Sequence, residues 1–192
     1  MNVYVLFAHP SRASFTGQAL AAFAQGLEEA GHQVQIGDLY QMGFDPVMDP
    51  SQYERESGKD LSSPLPQEVA QEQAKLEWAD GLAFVFPLWW SDCPAILKGW
   101  FEKVYSYGFA HRHEVNLSLG LKKAQVIATA GHPLSHLEST GVLGALKTVL
   151  VQSRLAGLGV QDVRLEVLDG MIAPQSNGPK HLIRAHQLGL EY

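Results

Sequence analysis

Three short segments carry side chains whose types and spacing could do chemistry. The first is His9-Pro10-Ser11-Arg12-Ala13-Ser14-Phe15-Thr16, which combines three hydroxyls with the start of a helical pattern. The unpaired N–H groups of a helix's first turn favour an anion, so this segment suits a phosphate that is held and not transferred. A plain N-cap with surface serines is the simpler alternative. The second segment, Phe86-Pro87-Leu88-Trp89-Trp90-Ser91-Asp92-Cys93-Pro94, sets two tryptophans in a turn. Turns lie on the surface, so these rings either cover a flat aromatic ligand or are buried against Trp100 and Phe101, and burial is the reading favoured for them singly. The third segment is Thr129-Ala130-Gly131-His132-Pro133-Leu134-Ser135-His136. There Gly131 allows close backbone approach, and amides can donate to a ligand carbonyl.

Other chemistries find no support. The chain has no G-x-G-x-x-G and no G-K-[ST], so neither a dinucleotide fingerprint nor a P-loop is present. It also lacks a serine nucleophile elbow. His132 and His136 stand at i, i+4, and His111-x-His113 repeats the pairing in extended form, but no carboxylate or thiolate completes a metal ligand set, and no metal is expected. His32, His181 and His186 read as surface side chains. Cys93, the single cysteine, excludes an internal disulfide and reads as a small buried apolar residue. With no nucleophile and no acid–base pair in view, a bound cofactor is expected to carry the reaction.

The elements that must position these segments are legible as alternation. Val3–Ala8, Gln33–Ile36, Gly81–Phe86, Ala124–Thr129 and Val160–Leu168 read as strands, and the first and third are continuous apolar runs of the kind buried on both faces. Phe15–Ala30 has apolar residues at helical spacing (Phe15, Leu20, Phe23, Leu27) and stops at Gly31. Glu68–Trp78, Pro94–Tyr105 and a stretch near 140–156 are further helices, with Ser91 or Asp92 capping Pro94–Tyr105 and Pro94 in its first turn. Alternating β and α elements predict a parallel sheet with helices on both faces, a doubly wound five-stranded α/β fold of the flavodoxin-like kind. Ligands then bind beyond the carboxyl ends of the strands, where all three segments fall. Asp38 to Pro66, rich in proline, reads as a surface excursion, and the chain from Pro174 as a polar tail with one short helix near 179–188.

The 192 residues suit a single domain over 1–192, and the formal charge is −6 with no Lys/Arg-rich run, so nucleic acid is not an expected partner. MNVYVLFAHP lacks the basic start of a signal peptide and no apolar run reaches membrane-spanning length, so a cytoplasmic protein with no membrane insertion is expected.

The run from Phe86 to Val104, with Phe-Pro-Leu-x-Trp followed by Pro94-Ala-Ile-Leu-Lys-Gly-Trp-Phe-Glu-Lys-Val104, resembles the signature of the NAD(P)H:quinone oxidoreductase (DT-diaphorase) family. His9…Ser14-Phe15, Asp38-Leu39-Tyr40…Phe44-Asp45-Pro46 and the helix Val69–Asp80 agree with it, so the match covers about residues 3–130. The resemblance implies a flavodoxin-like, homodimeric flavoprotein of the compact bacterial type. It would pass a hydride from NAD(P)H through the flavin to a quinone or similar electrophile in ping-pong fashion. By position, His9, Ser14, Phe15 and Thr16 would hold the flavin phosphates. Pro87, Leu88, Trp89 and Trp90 would lie along the isoalloxazine ring, and Thr129, Ala130 and Gly131 would meet its polar edge. His111 and His113 stand where the family places two substrate-pocket tyrosines. His136 stands in place of the catalytic tyrosine, beside Gly131, with His132 a weaker substitute and Val142 where a histidine partner is expected. The excursion over 38–66 and the Pro-Ala-Ile-Leu-Lys-Gly-Trp-Phe run favour FAD, with FMN the alternative. Two other readings are an electron carrier of flavodoxin type and an ancillary regulatory flavoprotein of a potassium efflux system.

Overall fold

The computed structural model describes residues 1–111 and 119–192. Five strands, β1 (Asn2–Phe7), β2 (Gln33–Asp38), β3 (Gly81–Pro87), β4 (Lys123–Thr129) and β5 (Asp162–Leu168), form one sheet in the order β2-β1-β3-β4-β5. Every pairing is parallel. The doubly wound, flavodoxin-like sheet read from the β-α alternation is therefore present. Helices α1 (Phe15–Glu29), α2 (Pro50–Gly58), α3 (Gln67–Trp78), α4 (Ala95–Val104), α5 (Leu134–Ser139), α6 (Val142–Leu146) and α7 (Pro174–Leu190) complete the chain. None of the helices among the described residues is long and apolar enough to cross a membrane.

Side-chain alternation divides the core. Tyr4 and Leu6 of β1 and Ala8 just after it face one side with Leu82, Phe84 and Phe86 of β3, where α3 and α4 supply Leu76, Leu97 and Trp100. Val3, Val5 and Phe7, with Ala83 and Val85, face the other side against Leu20, Phe23 and Leu27 of α1 and Leu188 of α7. Every residue of β3 is buried. A strand covered on both faces must be apolar throughout, which is why Gly81–Phe86 is so plain in the sequence.

Four expectations need correcting. Pro94 is not in the first turn of α4 but occupies its N-cap position, and no side chain caps that helix; Asp92 instead accepts the Cys93 N–H at 2.7 Å. The helix expected near 140–156 is broken: α6 runs into wide π-helical turns over Lys147–Leu155 and one 3₁₀ turn, Ala156–Leu158. The excursion contains α2, which starts on Pro50 and is capped by Asp49 accepting from the Gln52 N–H at 2.9 Å. The segment from Pro174 is a 17-residue helix, longer than the short one expected, because its apolar positions pack on α1.

That last contact is made backbone to backbone. A Cβ on Gly26 would lie 2.2 Å from the His186 carbonyl oxygen, and one on Gly189 would lie 2.3 Å from that of Phe23. No side-chain motion relieves either clash. Gly26→Ala is expected to destabilise the protein by about 1–3 kcal/mol, as overpacking does, and to lower Tm by several degrees in a thermal melt, whereas Gly144→Ala, with open space around it, leaves Tm unchanged or higher.

Candidate functional site

The strand order reverses between β1 and β3, and the loops leaving these two strands depart on opposite faces of the sheet. The crevice between them is where an open α/β sheet binds ligands. The loops after β1, β3 and β4 all open here.

The loop after β1 is organised around His9 and Ser14. The His9 Nδ1 accepts the Ser11 N–H at 2.9 Å, so in this arrangement the ring carries its proton on Nε2 and has a donor to offer. Burial lowers its pKa from the usual histidine value, the Ser11 contact opposing this, which favours the neutral ring. The ring lies between Phe7 and Trp89, with centroids at 6.4 and 5.8 Å. The Ser14 hydroxyl does the work of the plain N-cap: it donates to the Ser11 carbonyl at 2.7 Å and accepts the Gly17 N–H at 3.1 Å. The amides of Phe15 and Thr16 have no partner among the described residues and stand at the positive end of α1. Thr16 departs from expectation: its hydroxyl is buried and pairs with that of Thr129 at 2.8 Å, tying the first segment to the third. Arg12 adds a cation. Its Nε donates to Asp38 at 2.6 Å and its guanidinium lies 5.4 Å from the Phe7 ring centroid. A Cβ on Gly17 would come within 2.1 Å of the Arg12 carbonyl oxygen, so only glycine lets this loop close on the helix.

The loop after β3 corrects the burial reading of the tryptophans. Trp90 is 101% exposed and Trp89 42%; it is Trp100 and Phe101 that pack on Phe84. Trp89 and Asp92 exchange backbone hydrogen bonds of 3.0 and 3.2 Å across a two-residue turn. Trp90 and Ser91 have φ of +50° and +64°. A turn with two left-handed central residues normally uses Asn-Gly, and each L-residue placed there costs about 1–2 kcal/mol. Strain of this kind points to a site where the backbone position matters. Cys93 is buried as expected, and burial with the neighbouring Asp92 pushes its thiol up to about 11, so it offers no thiolate.

The loop after β4 is zipped to the loop after β5. Gly170 donates to the His132 carbonyl, Met171 to Ala130 and Ile172 to Gly131, at 3.0, 2.9 and 3.3 Å. Asp169 accepts the Leu134 N–H at 2.6 Å. His181, expected at the surface, is buried; its Nε2 lies 2.9 Å from the Asp169 carbonyl oxygen, and its ring meets Phe15 edge-on. The amides of Gly131 and His132 have no partner among the described residues. Leu88, Trp90, Ser91, Ala130, Gly131 and His132 line a cleft of about 250 Å³, closed by Leu137 and Ile172. Ile172, 75% exposed, was missed in the sequence because only the loop-to-loop zipper brings it over Gly131. His132 lines the cleft; His136 stacks on it with ring centroids 4.5 Å apart and is not part of the lining. Pro87 ends the buried strand behind Leu88. His111 lies apart from this lining, against Tyr107, and His113 is outside the described residues. A second cleft, about 420 Å³, lies beside the first loop between Phe15 and Gln18 of α1 and Pro174, Gly178 and Leu182 of α7. No group of three or more His, Cys, Asp or Glu side chains among the described residues is disposed to hold a metal ion.

A family model described as flavodoxin-like fold matches residues 1–188. The chain belongs to this flavodoxin-like family. Within it, the chain is similar to a solved NAD(P)H:quinone oxidoreductase from Methanothermobacter marburgensis, with 44% identity over 100% of this chain and 96% of that one and a TM-score of 0.96. It is 37% identical to a ribosyldihydronicotinamide dehydrogenase-like protein of Penicillium crustosum, matching 78% of this chain but 65% of that protein. It is 32% identical to an NAD(P)H oxidoreductase of Haemophilus influenzae over 87% of this chain and 83% of the relative. The resemblance to NAD(P)H:quinone oxidoreductases read from Phe86–Val104 is therefore sustained beyond residue 130, where the sequence pattern thins.

The lowered His9 pKa has a consequence for any flavodoxin-like chain built this way. Between that value and the ordinary one near 6.5 the unfolded chain holds a proton that the folded chain lacks, so stability falls as pH drops through this range. Urea unfolding is expected to show a lower midpoint at about pH 5.5 than at about pH 7.5, with a smaller difference in His9→Gln; an equal difference in the variant would remove His9 as a source.

Proposed function

We propose that the protein is a flavin-dependent NAD(P)H oxidoreductase that reduces a quinone or similar flat electrophile. The observation that carries this reading is the alignment, at the carboxyl ends of the strands, of an anion cradle at His9–Thr16 with a cleft lined by Leu88, Trp90 and Gly131. The cleft has one apolar wall and one lined with free amides, which fits a ring with an apolar and a polar edge. The kinds of relatives found support the same activity.

When bound, the flavin supplies two-electron hydride chemistry between NAD(P)H and acceptor. The chain's own residues bind, orient and donate. The Nε2–H of His9 and the amides of Phe15 and Thr16 donate to phosphate oxygens, with the Arg12 charge close by. The Ser14 hydroxyl holds this loop in shape and keeps one lone pair free. Leu88, Trp89 and Trp90, backed by Pro87, form the apolar wall against the ring. Thr129, through its bond to Thr16, and Ala130 hold the opposite wall, and the amides of Gly131 and His132 donate to the polar edge. His132, with His136 stacked on it, would supply donors at that edge, the kind of contact that stabilises developing negative charge. His111, and by its place in the sequence His113, are assigned to substrate binding in this reading.

The flavin is FAD in this reading: the cleft of about 420 Å³ beside Phe15 is adjacent to the phosphate cradle and offers apolar walls for an adenosine. The protein works as a homodimer in the cytoplasm, its exposed Val47, Tyr53 and Leu61 on the excursion supplying an apolar surface for a second copy.

The purified protein is expected to show oxidised-flavin absorption that bleaches within seconds on anaerobic addition of NADPH or NADH and returns with a quinone. Heat release should yield FAD; FMN would overturn the adenosine assignment alone, and a flavin that stays oxidised with both nucleotides would overturn the enzyme. His136→Ala should slow bleaching about tenfold and His132→Ala at least as much, the scale of a lost donor. Unchanged rates in both would remove the pair from the mechanism.

A further inference from the structure

The strained turn that carries Trp90 is not held by its own sequence. Trp90-Ser91 is a poor choice for two left-handed residues, and the two backbone bonds between Trp89 and Asp92 close the turn without relieving either of them. What grips the turn from outside is Arg154. This side chain projects from the π-helical stretch Lys147–Leu155. Its Nη1 lies 3.5 Å from the Asp92 carboxylate and 3.5 Å from the Cys93 sulfur, and its guanidinium lies 5.0 Å from the Phe101 ring centroid. The Asp92 carboxylate that Arg154 meets is the same group that accepts the Cys93 N–H at 2.7 Å. Asp92 thus joins the exit of the turn to a cation held in place by an aromatic face and nearly out of solvent, its side chain 14% exposed. π-helical turns are uncommon and cluster at functional sites.

We infer that Arg154 is a positioning residue: through Asp92 and Cys93 it holds the Trp89–Asp92 turn in its left-handed form, so that Trp90 and Ser91 form the wall of the cleft. Arg154 touches neither cleft in the structure, so it acts only through the turn. This rests on the reading that the cleft takes the flavin ring, and the test separates the two. Planarity and aromatic stacking matter to the grip, so lysine is an incomplete substitute.

The experiment uses the full chain as purified, with the variants Arg154→Met, Arg154→Lys, Asp92→Asn, Arg154→Met/Asp92→Asn and Arg154→Met/Ser91→Gly. The first measurement needs no flavin: amide hydrogen exchange in the peptide covering residues 88–94. Arg154→Met should speed exchange there, and Ser91→Gly in the same chain should restore it, because glycine adopts the left-handed conformation without an anchor. The second is the rate of flavin bleaching by NADPH. Arg154→Met and Asp92→Asn should each slow it by about tenfold, the scale of a misplaced reacting group, with little change in flavin content. The double variant with Asp92→Asn should be no slower than either single one, Arg154→Lys intermediate, and Ser91→Gly should recover most of the rate. A merely structural arginine would give losses that Ser91→Gly cannot repair. Unchanged exchange at residues 88–94 in Arg154→Met, or no rescue by Ser91→Gly, overturns the positioning role. Altered exchange in a parent protein that binds no flavin overturns the flavin reading instead.

Discussion

Everything at the site depends on one constraint, the placing of β3 between β1 and β4 with all its residues buried. Because right-handed crossovers send the connections from β1 and β3 to opposite faces, a crevice opens at the carboxyl ends of these strands. The three segments with chemical potential follow β1, β3 and β4, which are neighbours in the sheet though far apart in the chain. Register makes the neighbourhood concrete. Phe7 pairs with Val85 and Pro87 with Thr129, so His9, Leu88 and Ala130 leave the sheet side by side. The Thr16–Thr129 hydroxyl pair, buried between α1 and β4, crosses this front and ties the first of the three loops to the third.

A second polar contact fixes the face of the sheet behind the Trp90 turn. Glu72 is fully buried, yet its carboxylate accepts from the Tyr4 hydroxyl at 2.6 Å, the Trp100 indole at 2.8 Å and the Lys75 ammonium at 2.5 Å. A buried carboxylate is tolerable only when its lone pairs are met, and here the donors come from β1, α3 and α4. That joins α4 to the sheet at a defined rotation. Lys103, also buried, repeats the device one turn later with Glu68, the Asp45 carbonyl and the Phe44 ring. Removing one member of such a network typically costs about 3–5 kcal/mol. The rotation of α4 in turn sets where Pro94, Cys93 and Asp92 leave it, and so where the strained turn begins.

The contrast between what could and could not be read in the sequence follows from this geometry. Strands buried on both faces announce themselves as apolar runs, and strands of a parallel sheet end where ligands bind, so Val3–Ala8, Gly81–Phe86 and Ala124–Thr129 located the rim without any side-chain contact being known. What stayed hidden depends on tertiary contact. Trp89 and Trp90 look like core material by composition, yet the turn's dihedral angles throw Trp90 outward. His181 looks like a polar residue on a polar helix; its burial needs the Asp169 carbonyl opposite it, which only the β5–α7 loop supplies. Thr16 has the right type for a phosphate cradle and turns inward because Thr129 is there to pair with it. Ile172 and Arg154 lie more than 60 residues from Trp90 in one case and inside an expected regular helix in the other, and neither signal is periodic.

The rim therefore has parts of unequal stiffness, for a physical reason. The loop after β1 is held by local means, a cap at Ser14, a ring acceptor at His9 and a glycine contact at Gly17, all within nine residues of one another. The polar wall is held by a backbone zipper between two loops. The Trp90 turn has neither resource: its sequence disfavours its own conformation, and its backbone bonds close only on themselves. A segment in that state relaxes unless a side chain from elsewhere opposes it, and the cation best placed to do so is Arg154, brought there by a stretch of helix that has given up its regular spacing. Strain in the turn and irregularity in the π-helical stretch are two sides of one contact. Each would be unfavourable alone, and together they fix a fully exposed tryptophan at the mouth of the cleft.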